Sequence, residues 1–115
     1  MKLMRYGAKG AEKPALVDAQ GTVRDLSGVV PDITADTMRP ENLKRLAELD
    51  ASKLPAVASP GRIAPPWSGM GQFICIGLNY SDHAAATCAP IPTEPIIFLK
   101  PPHLLVGCPA PVVLT

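Results

Sequence analysis

His83 and His103 are the only imidazoles in the chain, and Cys75, Cys88 and Cys108 are its only thiols. His83 stands the same distance before Cys88 as His103 does before Cys108. Zinc sites normally use tighter Cys or His pairs, and no C-x-x-C or H-x-x-x-H clamp occurs here. An odd number of unpaired cysteines fits free thiols in a reducing compartment rather than a disulfide framework. A zinc-binding module built on Cys75, His83, Cys88, His103 and Cys108 is a separate reading that metal analysis decides. The carboxylates Asp18, Asp32, Asp36, Glu41, Glu48, Asp50, Asp82 and Glu94 are dispersed without metal-ligand clustering. By residue type an imidazole can serve as a general base and a lysine can hold an anionic oxygen. Taken alone, His83 is most simply a surface or capping histidine, and Lys100 reads equally well as a solvated lysine at a strand end.

The elements that must position these groups are short. Gln72-Phe73-Ile74-Cys75-Ile76 is a continuous apolar run of strand length, as expected for a strand buried on both faces. It leads into a turn at Gly77-Leu78-Asn79-Tyr80. Ser81 is placed to cap a helix continued by Ala84, Ala85 and Ala86, with Asp82 in its favourable first turn. Ile96-Ile97-Phe98-Leu99-Lys100 reads as a second buried strand, and Val112-Val113-Leu114 as a third with nothing after it to pair with. A strand without ladder partners reads as cut rather than completed.

Upstream, Leu3, Met4 and Tyr6, then Ala15 to Val17, then Thr22, Val23 and Leu26 predict a small β-meander, with Asp18-Ala19-Gln20-Gly21 as a hairpin turn. Pro40 suits a first helical turn, and Leu43, Leu46, Ala47 and Leu49 follow at near-helical spacing. Lys44, Arg45 and Glu48 would form its solvated face. Prolines at 55, 60, 65 and 66 with Gly61 break any period between Ser52 and Ser68, which predicts a linker. The boundary is expected near Pro65 to Gly71, giving a small domain with linker over residues 1–66 and a second unit over 67–115.

Composition sets the bounds. The fourteen prolines disfavour long helices and central strands. With aromatics at 4%, the core must be aliphatic. A formal net charge of +1 without a basic cluster argues against nucleic acid and for a small-molecule partner. No apolar run reaches the roughly 20 residues of a membrane span, and Met1 to Tyr6 lacks a signal h-region, so a cytoplasmic protein is expected.

Phe73-Ile74-Cys75-Ile76-Gly77-Leu78-Asn79-Tyr80-Ser81-Asp82-His83-Ala84 resembles the G-x-N-Y-x-x-H signature that opens the catalytic domain of the fumarylacetoacetate hydrolase family. Pro95-Ile96-Ile97-Phe98-Leu99-Lys100 is similar to that family's P-x-x-F-x-K strand. Met1 to Tyr6 and Arg24-Asp25-Leu26 are similar to the small N-terminal domain of many bacterial members. The resemblance covers the whole chain, in the manner of ureidoglycolate lyases, 2-hydroxyhepta-2,4-diene-1,7-dioate isomerases and acylpyruvate hydrolases. It implies an α+β, mainly β fold, with a β-meander and one short helix followed by the truncated start of a β-roll catalytic domain. It also implies hydrolase, lyase or isomerase chemistry on small 2-oxo or enol acids, a dimer, and bound Mg²⁺ or Mn²⁺. Such a cation polarises keto-acid oxygens and stabilises an enolate.

On this resemblance His83 and Lys100 are the catalytic residues and Asn79 and Tyr80 contact substrate. The family's metal ligands, an E-x-E pair and a later aspartate, are expected beyond Leu114, so no metal residue is assigned. One departure opens an alternative. The family commonly has a glutamate three residues after the histidine, on the same helix face, and here that position is Ala86. A methyl group cannot orient an imidazole, so the alternative is a catalytically inactive fragment or interaction module.

Overall fold

The computed structural model describes residues 1–108, and the run Val112 to Leu114, expected as a strand, lies outside them. The chain divides into two compact units, one formed by Met1–Met70 together with the stretch from Leu105, the other by Gly71–Leu104.

In the first unit, three antiparallel strands lie in the order β1-β2-β3: β1 (Lys2–Tyr6), β2 (Lys13–Val17) and β3 (Val23–Asp25). Leu3 faces Leu16, and Leu16 faces Arg24. The β2–β3 turn closes as its residues dictate. Asp18 Oδ1 accepts the Gln20 and Thr22 amides at 3.0 and 2.8 Å. Gly21 takes φ +83°, a conformation that costs glycine little. Leu26, expected in β3, lies just past its end, where it is fully buried.

The helix α1 (Pro40–Ala47) starts with proline in its first turn and buries Leu46. Lys44, Arg45 and Glu48 face solvent. Leu49 lies beyond the helix, yet packs on the core of Leu16, Leu26, Val30 and Leu46. That core is aliphatic, and each fully buried leucine contributes about 1.5–3 kcal/mol.

The proline-rich segment expected as a linker is part of the sheet. Pro55 and Val57 bond the β3 edge, with Asp25 N–H to Pro55 O at 2.9 Å and Val57 N–H to Val23 O at 2.8 Å. Arg62 and Ala64 bond the β1 edge, with Gly7 N–H to Arg62 O and Ala64 N–H to Arg5 O both at 2.9 Å. Isolated bridges need no periodic pattern, so prolines that abolish a strand still permit them, and both sheet edges are covered.

Polar groups inside this unit are paired. Arg5, 7% exposed, forms a two-point contact with Asp32, Nε to Oδ1 at 2.7 Å and Nη2 to Oδ2 at 2.9 Å. Ser68 Oγ donates to Asp32 Oδ2 at 2.7 Å. Burial works against the Asp32 charge, but bonds from Arg5, Ser68 and the Ile33 amide outweigh it and hold the carboxyl below its usual value. Tyr6 donates to Asp25 Oδ2 at 2.6 Å. Burial, reinforced by that carboxylate, pushes the phenol up to about 12.

The second unit contains β4 (Phe73–Gly77), the helix α2 (Ser81–Ala86) and β5 (Ile96–Lys100). β4 and β5 form an antiparallel pair running from Phe73 opposite Lys100 to Gly77 opposite Ile96. β4, expected to be buried on both faces, alternates between half-buried and exposed residues, and β5, expected as a second buried strand, is exposed along its whole length. Among the described residues this sheet has two strands and the other three, and both are open rather than closed into barrels. No helix among them is long and apolar enough to cross a membrane.

Candidate active site

The residues assigned from the resemblance, Asn79, Tyr80, His83 and Lys100, all fall in the second unit, the first three around a strand-to-helix elbow. Gly77 ends β4 where a Cβ would stand only 3.2 Å from Ile96 Cγ2, so glycine permits the close approach of the two strands. Leu78 then adopts φ +47°, the left-handed region that L-residues other than Asn and Asp rarely enter. This conformation turns the chain from strand to helix within three residues.

Tyr80, rather than Ser81, occupies the position before the first helical residue, with φ −125° and ψ 135° and no side-chain cap. Its carbonyl accepts the amides of His83 and Ala84 at 3.1 and 3.2 Å. Asp82 sits in the first turn as expected and accepts the His83 amide at 2.8 Å. The helix stops after six residues. Cys88 N–H reaches Ala85 O at 3.1 Å and Ala89 N–H reaches Ala84 O at 2.9 Å, with Cys88 at φ +53°. This is a Schellman ending in which cysteine takes the place glycine usually holds.

The elbow borders an open cavity of about 450 Å³, whose lining includes Ile76, Asn79, Ser81, Ile91, Glu94 and Pro95. Asn79 and Ser81 therefore share a hollow with a carboxylate, Glu94, that nothing in the local sequence connects to them. Tyr80 is 71% exposed. His83 is exposed, and among the described residues its ring makes no hydrogen bond.

Lys100 lies elsewhere. Its partner in the ladder is Phe73, at the opposite end of the hairpin from Gly77. Four residue steps of about 3.4 Å put some 14 Å between those ends. There Lys100 borders a second hollow of about 250 Å³ together with Gln72, Phe73 and Pro102. Its ammonium stands 5.7 Å from the Phe98 ring centroid, within cation–π range. The hairpin thus brings Asn79, Ser81 and Glu94 together and places Lys100 in a separate hollow.

Among the described residues no three His, Cys, Asp or Glu side chains come close enough to hold a metal ion. Cys88 and Cys108 are exposed and Cys75 half-buried, all as free thiols.

No protein-family model matches the chain. Curated relatives do. A protein of Burkholderia multivorans named "Putative hydrolase" is 49% identical over 100 residues, which make up 87% of this chain and 36% of that protein. Proteins of the same designation from Burkholderia lata and Burkholderia cenocepacia strain J2315 are 48% and 47% identical over equal shares. The chain is related to proteins named as hydrolases. It spans about a third of the length of these relatives.

Proposed function

We infer that this chain carries the imidazole-bearing elbow of a fumarylacetoacetate hydrolase family protein that cleaves, isomerises or decarboxylates small 2-oxo or enol acids. The observation that carries the reading is the G-x-N-Y-x-x-H run lying on a strand–turn–helix elbow, with Leu78 at φ +47° and Asn79 at the rim of a cavity. Backbone strain of this kind costs about 1–3 kcal/mol and gathers at working sites. Identity near 48% to proteins named as hydrolases adds to it.

In this reading the exposed His83 imidazole takes a proton from water or from the substrate carbon, while Asn79 and Tyr80 hold the substrate's oxygens. Lys100, about 14 Å along the hairpin by strand rise and in a separate hollow, lies beyond the reach of a small acid held at the elbow, and no contact with that substrate is assigned to it. Family chemistry calls for Mg²⁺ or Mn²⁺, but the described side chains do not fit a cation, and no step here is assigned to one.

Turnover of acylpyruvates by the protein, assayed with Mg²⁺ and with Mn²⁺, tests the reading. His83→Asn is expected to lower kcat by about 10²–10⁴, whereas Lys100→Met leaves kcat and KM for the small substrate near the parent values. Equal kcat in His83→Asn and the parent protein overturns the assignment.

A second reading, a binding module without catalysis, is favoured by one observation: Ala86 stands where a carboxylate would orient the imidazole, and His83 has no side-chain partner among the described residues. Acylpyruvate binding measured by calorimetry, with no turnover under either cation, selects it.

A further inference from the structure

The second unit has almost no interior of its own. Ala84 is the one described residue between Gly71 and Leu104 that is buried. Directly opposed residues of an antiparallel ladder share a face, so Ile74 with Leu99 and Ile76 with Ile97 form one side of the hairpin. These four side chains are 59%, 59%, 45% and 66% exposed in that order. The patch is continuous, aliphatic and uncharged. The opposite side pairs half-buried Phe73, Cys75 and Gly77 with Lys100, Phe98 and Ile96; there Phe98 and Ile96 are 40% and 45% exposed, and the side ends in the charge of Lys100. A two-stranded hairpin is marginal in water without a packed face, and contiguous exposed apolar surface marks a contact site.

Two observations choose the occupant. A second copy would present only four side chains to four, far short of the roughly 20–30 residues a side of a stable interface. In the Burkholderia relatives, by contrast, the matched segment is 36% of the protein, so nearly two-thirds of their length is polypeptide with no counterpart in the match. We propose that the Ile74–Ile76–Ile97–Leu99 face is the docking surface for that complementary polypeptide, an apolar surface supplied by the other two-thirds of the relatives' sequence. The inference rests on the relationship to those proteins and on exposure. It does not depend on the reaction, so its test reads binding alone.

The full chain is co-expressed with the part of the Burkholderia multivorans protein outside its matched 100 residues. Complex formation is read by native mass spectrometry, and amide exchange is followed over Ile96–Lys100. The expected result is a one-to-one complex in which those amides gain at least about 100-fold protection over the chain alone. Ile97→Lys and Leu99→Thr should each weaken the complex tenfold or more. Both positions are exposed, and threonine keeps strand propensity, so unchanged Trp67 fluorescence certifies an intact first unit.

Several results overturn the proposal. These are a complex indifferent to both substitutions, a soluble partner that does not bind, and a partner that stays insoluble beside the chain. A dimer of the chain abolished by the same substitutions overturns it in favour of a second copy. Strong protection of Ile96–Lys100 in the lone monomer overturns it in favour of coverage from within the chain.

Discussion

Replacing Asp32 by Asn should destabilise the first unit by about 3 kcal/mol. Arg5 is buried, and its guanidinium meets both Asp32 oxygens at 2.7 and 2.9 Å. An amide keeps the shape but turns one acceptor into a donor facing another donor, and the cation loses its counter-charge. Breaking a buried pair from one side costs roughly 3–5 kcal/mol. Glu12, 3.9 Å from Arg5 Nη2, and the Pro65 carbonyl at 3.3 Å from Nη1 retain part of the compensation, which places the loss near the lower figure.

A unit of this size has a total stability of only about 4–10 kcal/mol at roughly 0.05–0.15 kcal/mol per residue, so the effect is large. Urea unfolding followed by Trp67, the single tryptophan and the neighbour of Ser68, measures it. The pair Arg5→Met with Asp32→Leu should regain most of the loss, because the desolvation cost of both charges vanishes with them. A loss below about 1 kcal/mol in Asp32→Asn, or a double variant no more stable than the single one, refutes the reasoning. The acid limb gives a second check. The Asp32 carboxyl is held below its ordinary value, so its stabilisation is complete above the unfolded value near 3.8 and fades as pH falls through the depressed one. Asp32→Asn removes that acid dependence.

Two further outcomes follow from the backbone and from titration. Tyr6 has its phenol raised from 10.0 to about 12, so its contribution is intact below pH 10 and lost as pH climbs toward 12. Alkaline urea titrations should show a decline of about 2–3 kcal/mol over that window, flattened in Tyr6→Phe. Cys88→Gly removes the side-chain strain at φ +53°, roughly 1–2 kcal/mol, against about 0.5–1 kcal/mol of added chain entropy. Amides of Cys88 and Ala89 should exchange a few-fold more slowly, and faster exchange contradicts the strain argument.

Legibility tracked locality. The β2–β3 turn was readable because Asp18 and Gly21 serve the same short loop, and α1 because Pro40 and Leu46 declare a start and a face. The Ser52–Ser68 segment was hidden because its sheet bonds are single bridges to strands thirty or more residues away. Arg5 and Asp32 lie 27 positions apart with no pattern joining them. At the elbow, the motif announced the turn but not which residue would bear the strain. Glycine at 77 and asparagine at 79 are the natural bearers of positive φ, yet Leu78 takes it, and Tyr80 displaces Ser81 from the cap. That Glu94 borders the same cavity as Asn79 depends on the β4–β5 register, which no local residue specifies.

The return of the chain at Leu105 has a topological consequence. Ile63 N–H bonds Cys108 O at 3.1 Å, and buried Gly107 leaves no room for a methyl against the backbone of Ile63 and Ala64. Gly71–Leu104 is therefore an insertion into a host that closes behind it. Excising it in favour of a brief Gly-Ser splice would shorten the closed loop about threefold, lowering its closure entropy by about 1 kcal/mol. The host then becomes a socket whose two lips are already clasped, receptive to grafted modules of other origin.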